Sequence, residues 1–158
     1  MENLKLEIRI EKYKLEELNQ MEQNLISSAK DATQSSYDPY SGFNVGAAVL
    51  LDDETIVKGS NQENAAYPSG LCAERTALFY ANSQYPAIGV KALAIAARNS
   101  SGFTKEPITP CGSCRQVILE TEKRFGHQIT FYLYGEDYIY KIEGTRNLLP
   151  LSFGNDFL

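Results

Sequence analysis

An α/β domain around one mixed β-sheet is the fold class that the sequence predicts. Strand-like apolar runs alternate with helical segments twice after residue 70, and a helix followed by a hairpin precedes them. This order of elements favours a two-layer or three-layer α/β arrangement. Of the 158 residues, 43% are hydrophobic and 22% are charged, a balance typical of a globular protein. Because no repeat, low-complexity tract or long linker divides the chain, we predict one domain over residues 1–158.

The first part of the chain predicts a strand, a helix and a β-hairpin. Residues 4–10 alternate apolar and charged side chains, a period of two that predicts a short strand with one solvated face. The apolar stripe over residues 15–29 predicts a helix that ends near residues 32–36. Residues 45–51 and 55–59 predict the two strands of the hairpin, with a polar loop between them.

The second part of the chain predicts helices and strands in alternation. The predicted elements are, in order, a helix from Cys72 to a point before Pro86, a strand at 90–97, a loop at 99–110, a helix at about 111–124, strands at 129–134 and 138–142, and a short helical turn at 146–149.

The three cysteines fall in two short motifs, Cys72-Ala73-Glu74 and Pro110-Cys111-Gly112-Ser113-Cys114. Both motifs open predicted helices, and the spacing of Cys111 and Cys114 allows both sulfurs to face the same way on one helical turn. Three thiolates and one carboxylate predict a zinc ion with a fourth position open to water. Beside that position, Glu74 can take a proton from water and pass it to a substrate.

Two other interpretations of the cysteines remain open from the residues alone. A Cys-x-x-Cys pair is also typical of thiol-redox sites, and a structural zinc site would need a fourth protein ligand. The one histidine, His127, lies between a predicted helix and a predicted strand, which favours a solvated turn residue over a ligand.

Three thiolates on a divalent zinc leave a net negative charge, so a nearby cation is expected to offset it. Arg75 follows Glu74 directly and Arg115 follows Cys114 directly, which makes both arginines candidates. An ordinary surface salt bridge is the alternative for each.

Composition argues against several classes of protein. A net charge of −5 disfavours a nucleic-acid or anionic-membrane surface, since both require clustered Lys and Arg. The charged N-terminal residues do not resemble a signal peptide, and no apolar run approaches the roughly 20 residues of a membrane-spanning helix. An odd number of cysteines without an export signal predicts a cytoplasmic protein with reduced thiols.

Four segments together resemble a known enzyme family, and the C-terminal segment at residues 148–154 (LLPLSFG) resembles its ending. They are residues 40–48 (YSGFNVGAA), 61–68 (NQENAAYP), 72–77 (CAERTA) and 110–116 (PCGSCRQ). The chain resembles the cytidine deaminases of the small, homotetrameric, three-cysteine zinc class, from about residue 20 onward. The Cys-Ala-Glu and Pro-Cys-x-x-Cys motifs match the general signature of zinc deaminases.

The resemblance implies a cytidine-deaminase-like α/β/α sandwich with a mixed five-stranded sheet. It implies one Zn²⁺ per subunit on Cys72, Cys111 and Cys114, with Glu74 as the proton shuttle. The implied reaction is hydrolytic deamination of cytidine and 2′-deoxycytidine to uridine and 2′-deoxyuridine, with release of ammonia, in pyrimidine salvage. The implied assembly is a homotetramer whose subunits share active sites.

The resemblance also implies the substrate contacts. Asn61 and Glu63 would hydrogen-bond the ribose, and Phe43 would stack near the pyrimidine. Ala65 and Tyr67 would line the pocket, and Phe153 from a neighbouring subunit would close it. Without the family pattern, the two phenylalanines would be interpreted as core aromatics and Asn61 as a turn residue.

Some questions stay open at the level of sequence. Residues 1–14 form an extra N-terminal segment whose apolar face can pack on the sheet edge or on another subunit. The preference between cytidine and deoxycytidine is not encoded in these motifs. The rival functions are deamination of a blasticidin-type aminonucleoside, of a nucleotide or of a polynucleotide, and a non-catalytic zinc or thiol-redox module.

Overall fold

The computed structural model describes residues 1–154 and 157, and within them the chain forms seven β-strands and three α-helices. The elements are β1 (Glu11–Tyr13), α1 (Gln20–Ala32), β2 (Asn44–Leu51), β3 (Ile56–Ser60), α2 (Ala73–Gln84), β4 (Val90–Asn99), β5 (Gly102–Phe103), α3 (Gly112–Phe125), β6 (Thr130–Tyr134) and β7 (Ile139–Glu143).

The strands of the described residues form one mixed sheet, as the sequence predicted. Its order is β1-β7-β6-β4-β2-β3, and β5 pairs with the end of β4. Only β4 and β6 run parallel among these pairs, and α3 makes the crossover between them, since parallel neighbours cannot be joined by a tight turn. The predicted five strands correspond to β2, β3, β4, β6 and β7, and the short β1 and β5 bring the number to seven.

Helices cover both faces of the sheet, which gives the α/β/α sandwich. The helix α1 packs on one face against Ala48, Leu50 and the alanines of β4, whereas α2 and α3 pack on the other. Two glycines permit close approach. A Cβ at Gly46 would lie 2.0 Å from the carbonyl oxygen of Ala29 in α1, and a Cβ at Gly59 would lie 2.5 Å from the backbone nitrogen of Ala77 in α2. The glycine in β3 therefore sets how closely α2 lies against the sheet.

A polar cluster ties α1 to the sheet. The Glu22 carboxylate accepts hydrogen bonds from the Tyr132 hydroxyl at 2.6 Å, the Lys141 ammonium at 2.8 Å and the backbone N–H of Asn19 at 2.9 Å. Burial acts to raise the pKa of Glu22, but the hydrogen bonds from Lys141, Tyr132 and Asn19 outweigh it, so the pKa is lowered. The ionised carboxylate is thus part of the folded structure.

Three predicted boundaries were wrong. The strand predicted at residues 4–10 is not formed, and the strand of this segment is β1. The alternating residues lack a neighbouring strand within the described chain, and a period of two cannot make a strand without one. The helix α1 begins at Gln20, five residues after the predicted start, because Leu15–Glu17 forms a 3₁₀ turn. The predicted loop at 99–110 contains the short strand β5.

No helix in the described part of the chain has the length and hydrophobicity to cross a bilayer.

Candidate active site

The starts of α2 and α3 bring the three cysteines together. Cys72 is the N-cap of α2, Cys111 is the N-cap of α3, and Cys114 lies buried in the first turn of α3. The partial positive charge at each helix start favours thiolate at these positions. The sulfur atoms of Cys72 and Cys111 lie 3.8 Å apart, those of Cys111 and Cys114 lie 3.5 Å apart, and all three lie within 4.8 Å of one another.

These separations fit a shared zinc ion. Zn–S bonds of about 2.3 Å in tetrahedral array place two sulfurs about 3.8 Å apart. Among the described residues, the cluster suited to a metal consists of these three cysteines, without a fourth protein ligand. His127 lies elsewhere, with its Nε2 3.2 Å from the carboxylate of Asp52. The donor set is therefore that of an open site and not of a closed structural site.

Glu74 is buried beside the sulfurs, with 5% of its surface exposed. It lies in the first turn of α2, which is held against β3 at Gly59. Burial raises the pKa of Glu74, and the negative charge of Cys72 adds to this effect, against hydrogen bonding from its own backbone N–H. Because Glu74 is not one of the clustered ligands, its carboxyl group is free to handle protons.

The two candidate arginines have different surroundings. The Arg75 guanidinium donates to the sulfur of Cys72 at 3.6 Å. Hydrogen bonding from Cys114 and then from Arg75 lowers the pKa of Cys72 to about 5, although burial opposes this. Arg115 instead donates to the carbonyl oxygens of Pro110 at 2.8 Å and Leu148 at 2.6 Å. Arg75 thus contacts the cysteine cluster directly, whereas Arg115 holds the backbone next to Cys111 in place.

A cavity of about 660 Å³ opens next to the cysteines, a size that suits a small-molecule ligand. Eight of the residues that line it were predicted for the site from the sequence, including Tyr67 at the rim and the arginine beside the thiolates. These eight are Phe43, Asn61, Glu63, Tyr67, Cys72, Glu74, Arg75 and Cys111.

Asn61 and Glu63 hold the loop that carries Phe43. The side-chain oxygen of Asn61 accepts from the backbone N–H of Val45 at 2.8 Å, and its amide nitrogen donates to the carbonyl of Phe43 at 2.9 Å. Glu63 accepts from the backbone N–H groups of Tyr40 at 2.9 Å and Ser41 at 3.3 Å. Hydrogen bonds from the side chain of Ser41 and the backbone of Tyr40 lower the pKa of Glu63.

These bonds leave part of each side chain for a ligand. A carboxylate has two oxygens, and an amide offers two N–H groups and two lone pairs, so each residue can hold the loop and bind substrate together.

Ala65 and Phe153 do not line this cavity. Ala65 is exposed on the loop that follows β3. Phe153 is 61% exposed, its carbonyl accepts from Gln116 at 2.9 Å, and its ring stacks on Phe157. Tyr67 is at the rim, 77% exposed, with its ring edge-on to that of Tyr40.

Sequence reasoning did not assign several residues that line the cavity, and four of these are Tyr40, Ser41, Ile108 and Thr109. The first two lie within the motif at residues 40–48, and the other two directly precede Pro110-Cys111. Position next to a motif was therefore the signal that could have found them.

Comparisons with known proteins agree with this geometry. Residues 19–126 match the family model of the cytidine and deoxycytidylate deaminase zinc-binding region. A cytidine deaminase of Halalkalibacterium halodurans is 48% identical over 98 residues, which cover 62% of this chain and 70% of the relative. A cytidine deaminase of Mycobacterium tuberculosis is 37% identical over 137 residues, covering 85% and 90%.

A solved structure gives the same result for the fold. The crystal structure of cytidine deaminase from Burkholderia pseudomallei is 37% identical, with a TM-score of 0.71, and covers 82% of this chain and 97% of its own. The sheet, the three-cysteine cluster and these matches agree, and the chain belongs to the cytidine deaminase family.

Proposed function

We propose that this chain catalyses the hydrolytic deamination of cytidine and 2′-deoxycytidine to uridine and 2′-deoxyuridine with release of ammonia. The observation that carries the proposal is the position of a buried Glu74 beside three clustered sulfurs at the wall of a cavity of nucleoside size. Cys72, Cys111 and Cys114 would hold one zinc ion, which when bound supplies Lewis-acid activation of water.

Glu74 would act as the proton shuttle. It would take a proton from the attacking water and deliver it to N3 of the pyrimidine, which makes C4 electrophilic. The water oxygen would add to C4, and Glu74 would pass the remaining proton of that oxygen to the amine, so that the C4–N bond breaks, ammonia leaves and a C4 carbonyl remains. Arg75 would offset the negative charge of the thiolates through its contact with Cys72.

The opposite side of the cavity would bind the nucleoside. Asn61 and Glu63 would hydrogen-bond the ribose with the capacity that the loop leaves unused, and Phe43 would pack against the pyrimidine. The net charge of −5 disfavours a polynucleotide substrate, and the segment at residues 61–63 (NQE) has no glycine-rich anion cradle or basic cluster beside it for a phosphate. These features favour a pyrimidine nucleoside as the substrate, and the reaction would belong to pyrimidine salvage. A cytoplasmic location stays a prediction from the sequence.

We also propose a homotetramer with shared active sites. The exposed Phe153 does not line the cavity of its own chain, which is expected if it closes the pocket of a neighbour. The exposed ring of Tyr67 and the exposed Ala65 at the rim would contact the neighbouring subunit. A mass measurement by light scattering tests the assembly, and a monomer at micromolar concentration would contradict it.

The substrate is tested by ammonia release from cytidine, 2′-deoxycytidine, cytidine monophosphate and blasticidin S. We expect both nucleosides to be deaminated and the other two compounds to react far more slowly. A preference for blasticidin S or for the nucleotide would replace the proposed substrate with a rival. The absence of turnover with all four would leave only a zinc or thiol module.

The role of Glu74 is tested by Glu74→Gln, which keeps the shape of the side chain and removes its proton-transfer capacity. We expect zinc content to be retained and kcat to fall by about 10² to 10⁴. Glu120→Gln is the matched control, because Glu120 is an exposed acid on α3. Near-normal turnover by Glu74→Gln would show that another group moves the proton.

A further inference from the structure

The N-terminal arm, residues 4–11, carries an exposed apolar stripe and a charged stripe in which Arg9 forms an ion pair with Glu11 at 3.0 Å. Leu4 is 84% exposed, and Leu6, Ile8 and Ile10 are 41%, 49% and 48% exposed. The residues between them are charged in the order Lys5, Glu7, Arg9 and Glu11. Such alternation is typical of a strand, yet residues 4–10 form none in the isolated chain.

The arm continues directly into β1, the outermost strand of the sheet. On one side β1 pairs with β7, and within the described residues its other edge has no strand. The backbone N–H of Arg9 donates to the side chain of Asn147 of its own chain at 2.9 Å. Since alternate residues of an extended strand direct their backbone groups to opposite edges, those of Ile8 and Ile10 would be directed away from the chain. An unpaired edge of this kind is a template for another strand.

The charges of the arm form four opposite-charge pairs with those of a second arm in one register, whereas a shift by four residues in either direction leaves only two. When two arms run antiparallel with Ile8 opposite Ile8, Lys5 faces Glu11 and Glu7 faces Arg9, and the symmetry repeats both pairs. A shift by two residues in one direction sets Glu7 against Glu7, and a shift in the other sets Arg9 against Arg9. A shift by one residue sets charged side chains against apolar ones. Cross-strand pairs of opposite charge stabilise, and like charges destabilise.

We propose that the arms of two copies of this chain pair as antiparallel strands about a two-fold axis at Ile8. This pairing gives hydrogen-bond partners to the unpaired backbone groups at the open edge of the arm. It also makes four ion pairs and joins the two apolar stripes into one. It is an isologous contact, in which the same surface of each copy meets itself. The contact lies outside the residues that match the deaminase family, and it does not depend on the proposed catalytic activity.

Cysteine cross-linking tests the register in the full-length, zinc-loaded protein. In the proposed pairing the two Cα atoms at position 8 lie about 5.5 Å apart, within the range that a disulfide spans. The variant Ile8→Cys is therefore expected to form a covalent dimer on mild oxidation. Leu6→Cys is the matched control, since its two copies would lie about 14 Å apart along the strands. Wild type reports any background from the three native cysteines.

Charge reversal tests the complementarity within the Ile8→Cys background. Glu7→Arg sets like charges against each other at two symmetric pairs, and we expect cross-linking to slow by about tenfold. Adding Arg9→Glu restores opposite charges at the same pairs, and we expect the rate to recover. Zinc content and circular dichroism report whether each variant is folded.

Three results would overturn the proposal. They are cross-linking of Ile8→Cys no faster than that of Leu6→Cys, no effect of Glu7→Arg, and no recovery in the double charge variant. Because the readout is a covalent dimer, it gives the same answer whether or not the protein deaminates cytidine.

Discussion

The two sides of the active-site cavity are built in different ways. The metal wall, formed by Cys72, Glu74, Cys111 and Cys114, lies at the starts of two long helices, and its acid is 5% exposed. The loop wall, formed by residues 40–43 and 61–67, is irregular and largely exposed, and side-chain hydrogen bonds to the backbone hold it. Packing fixes the groups proposed for chemistry, whereas hydrogen bonds fix those proposed for binding. Changes to the two walls should therefore separate kcat from KM.

The largest effect is expected from removing a sulfur of the metal wall. Cys114→Ala leaves two thiolates for the ion, and we expect zinc to be lost and ammonia release to fall at least as far as in Glu74→Gln. Metal analysis of the purified variant alongside the activity assay measures both. His127→Ala is the control and is expected to keep zinc and activity. Loss of zinc in the histidine variant would instead indicate a four-ligand structural site.

A smaller effect is expected from the arginine beside the metal wall. Arg75→Ala removes the donor to Cys72, and partners of metal ligands typically contribute 10- to 100-fold to metal affinity or activity. We expect a loss of about that size, measured by competition with a chelator and by kcat. Lysine at position 75 should recover part of it, because it restores the charge without the planar fork.

Arg115→Ala provides the contrast. It removes hydrogen bonds to Pro110 and Leu148, and we expect its melting temperature to fall more than its zinc affinity. Equal losses of zinc affinity in the two arginine variants would contradict the assignment of Arg75 alone to the thiolates.

On the loop wall, Asn61→Ala should raise KM more than it lowers kcat. The change removes two hydrogen bonds that hold Phe43 and Val45, each worth about 1 kcal/mol, and we expect KM for cytidine to rise about tenfold with zinc retained. Initial-rate kinetics and metal analysis measure the two effects. A fall in kcat at unchanged KM would break the distinction between the two walls.

The smallest effect on activity is expected at Glu22, which is remote from both walls. Its pKa is lowered in the folded state, so the ionised form stabilises the protein above its ordinary value of 4.5, and this contribution is lost as the pH falls through the lowered folded value. We expect Glu22→Gln to lose about 1–2 kcal/mol of stability at neutral pH.

The loss in Glu22→Gln should shrink as the pH falls below 4.5. Urea unfolding at several pH values measures it, and KM and kcat should not change at neutral pH. A stability difference that stays constant down to low pH would contradict the lowered pKa of Glu22.

Much of the fold followed from local patterns. The strand β2 was predicted because residues 45–51 are almost all apolar, and the structure pairs it on both sides, with β3 and with β4. The arm at residues 4–10 has an equally clear pattern but no partner within the described chain, so its predicted strand is absent. The periodicity of a segment indicates which face of a sheet each residue would occupy. Whether the segment forms a strand depends on a partner strand, which comes from a distant part of the sequence or from another chain. The strand β5 was not predicted, because its two residues are too few to show an alternation of apolar and polar side chains.

The metal wall could be predicted from the sequence, because each cysteine lies in a short motif at a helix start. Three cysteines with a glutamate two residues after one of them favour a metal site over the other functions of cysteine. The loop wall required the family resemblance, since an asparagine such as Asn61 is as typical of a turn as of a binding site. Its bonds to the backbone of Phe43 and Val45 join segments 16 to 18 residues apart, which no local pattern reports. The role proposed for Phe153 requires a neighbouring copy, which no pattern within one chain reports.

X-ray absorption at the zinc edge of the purified wild-type protein tests the central claim most directly. We predict one zinc per chain, with three sulfur ligands at about 2.3 Å and one lighter ligand from solvent. A protein without zinc, or a zinc with four sulfur ligands or a histidine ligand, would contradict the open three-cysteine site on which the proposed deamination depends.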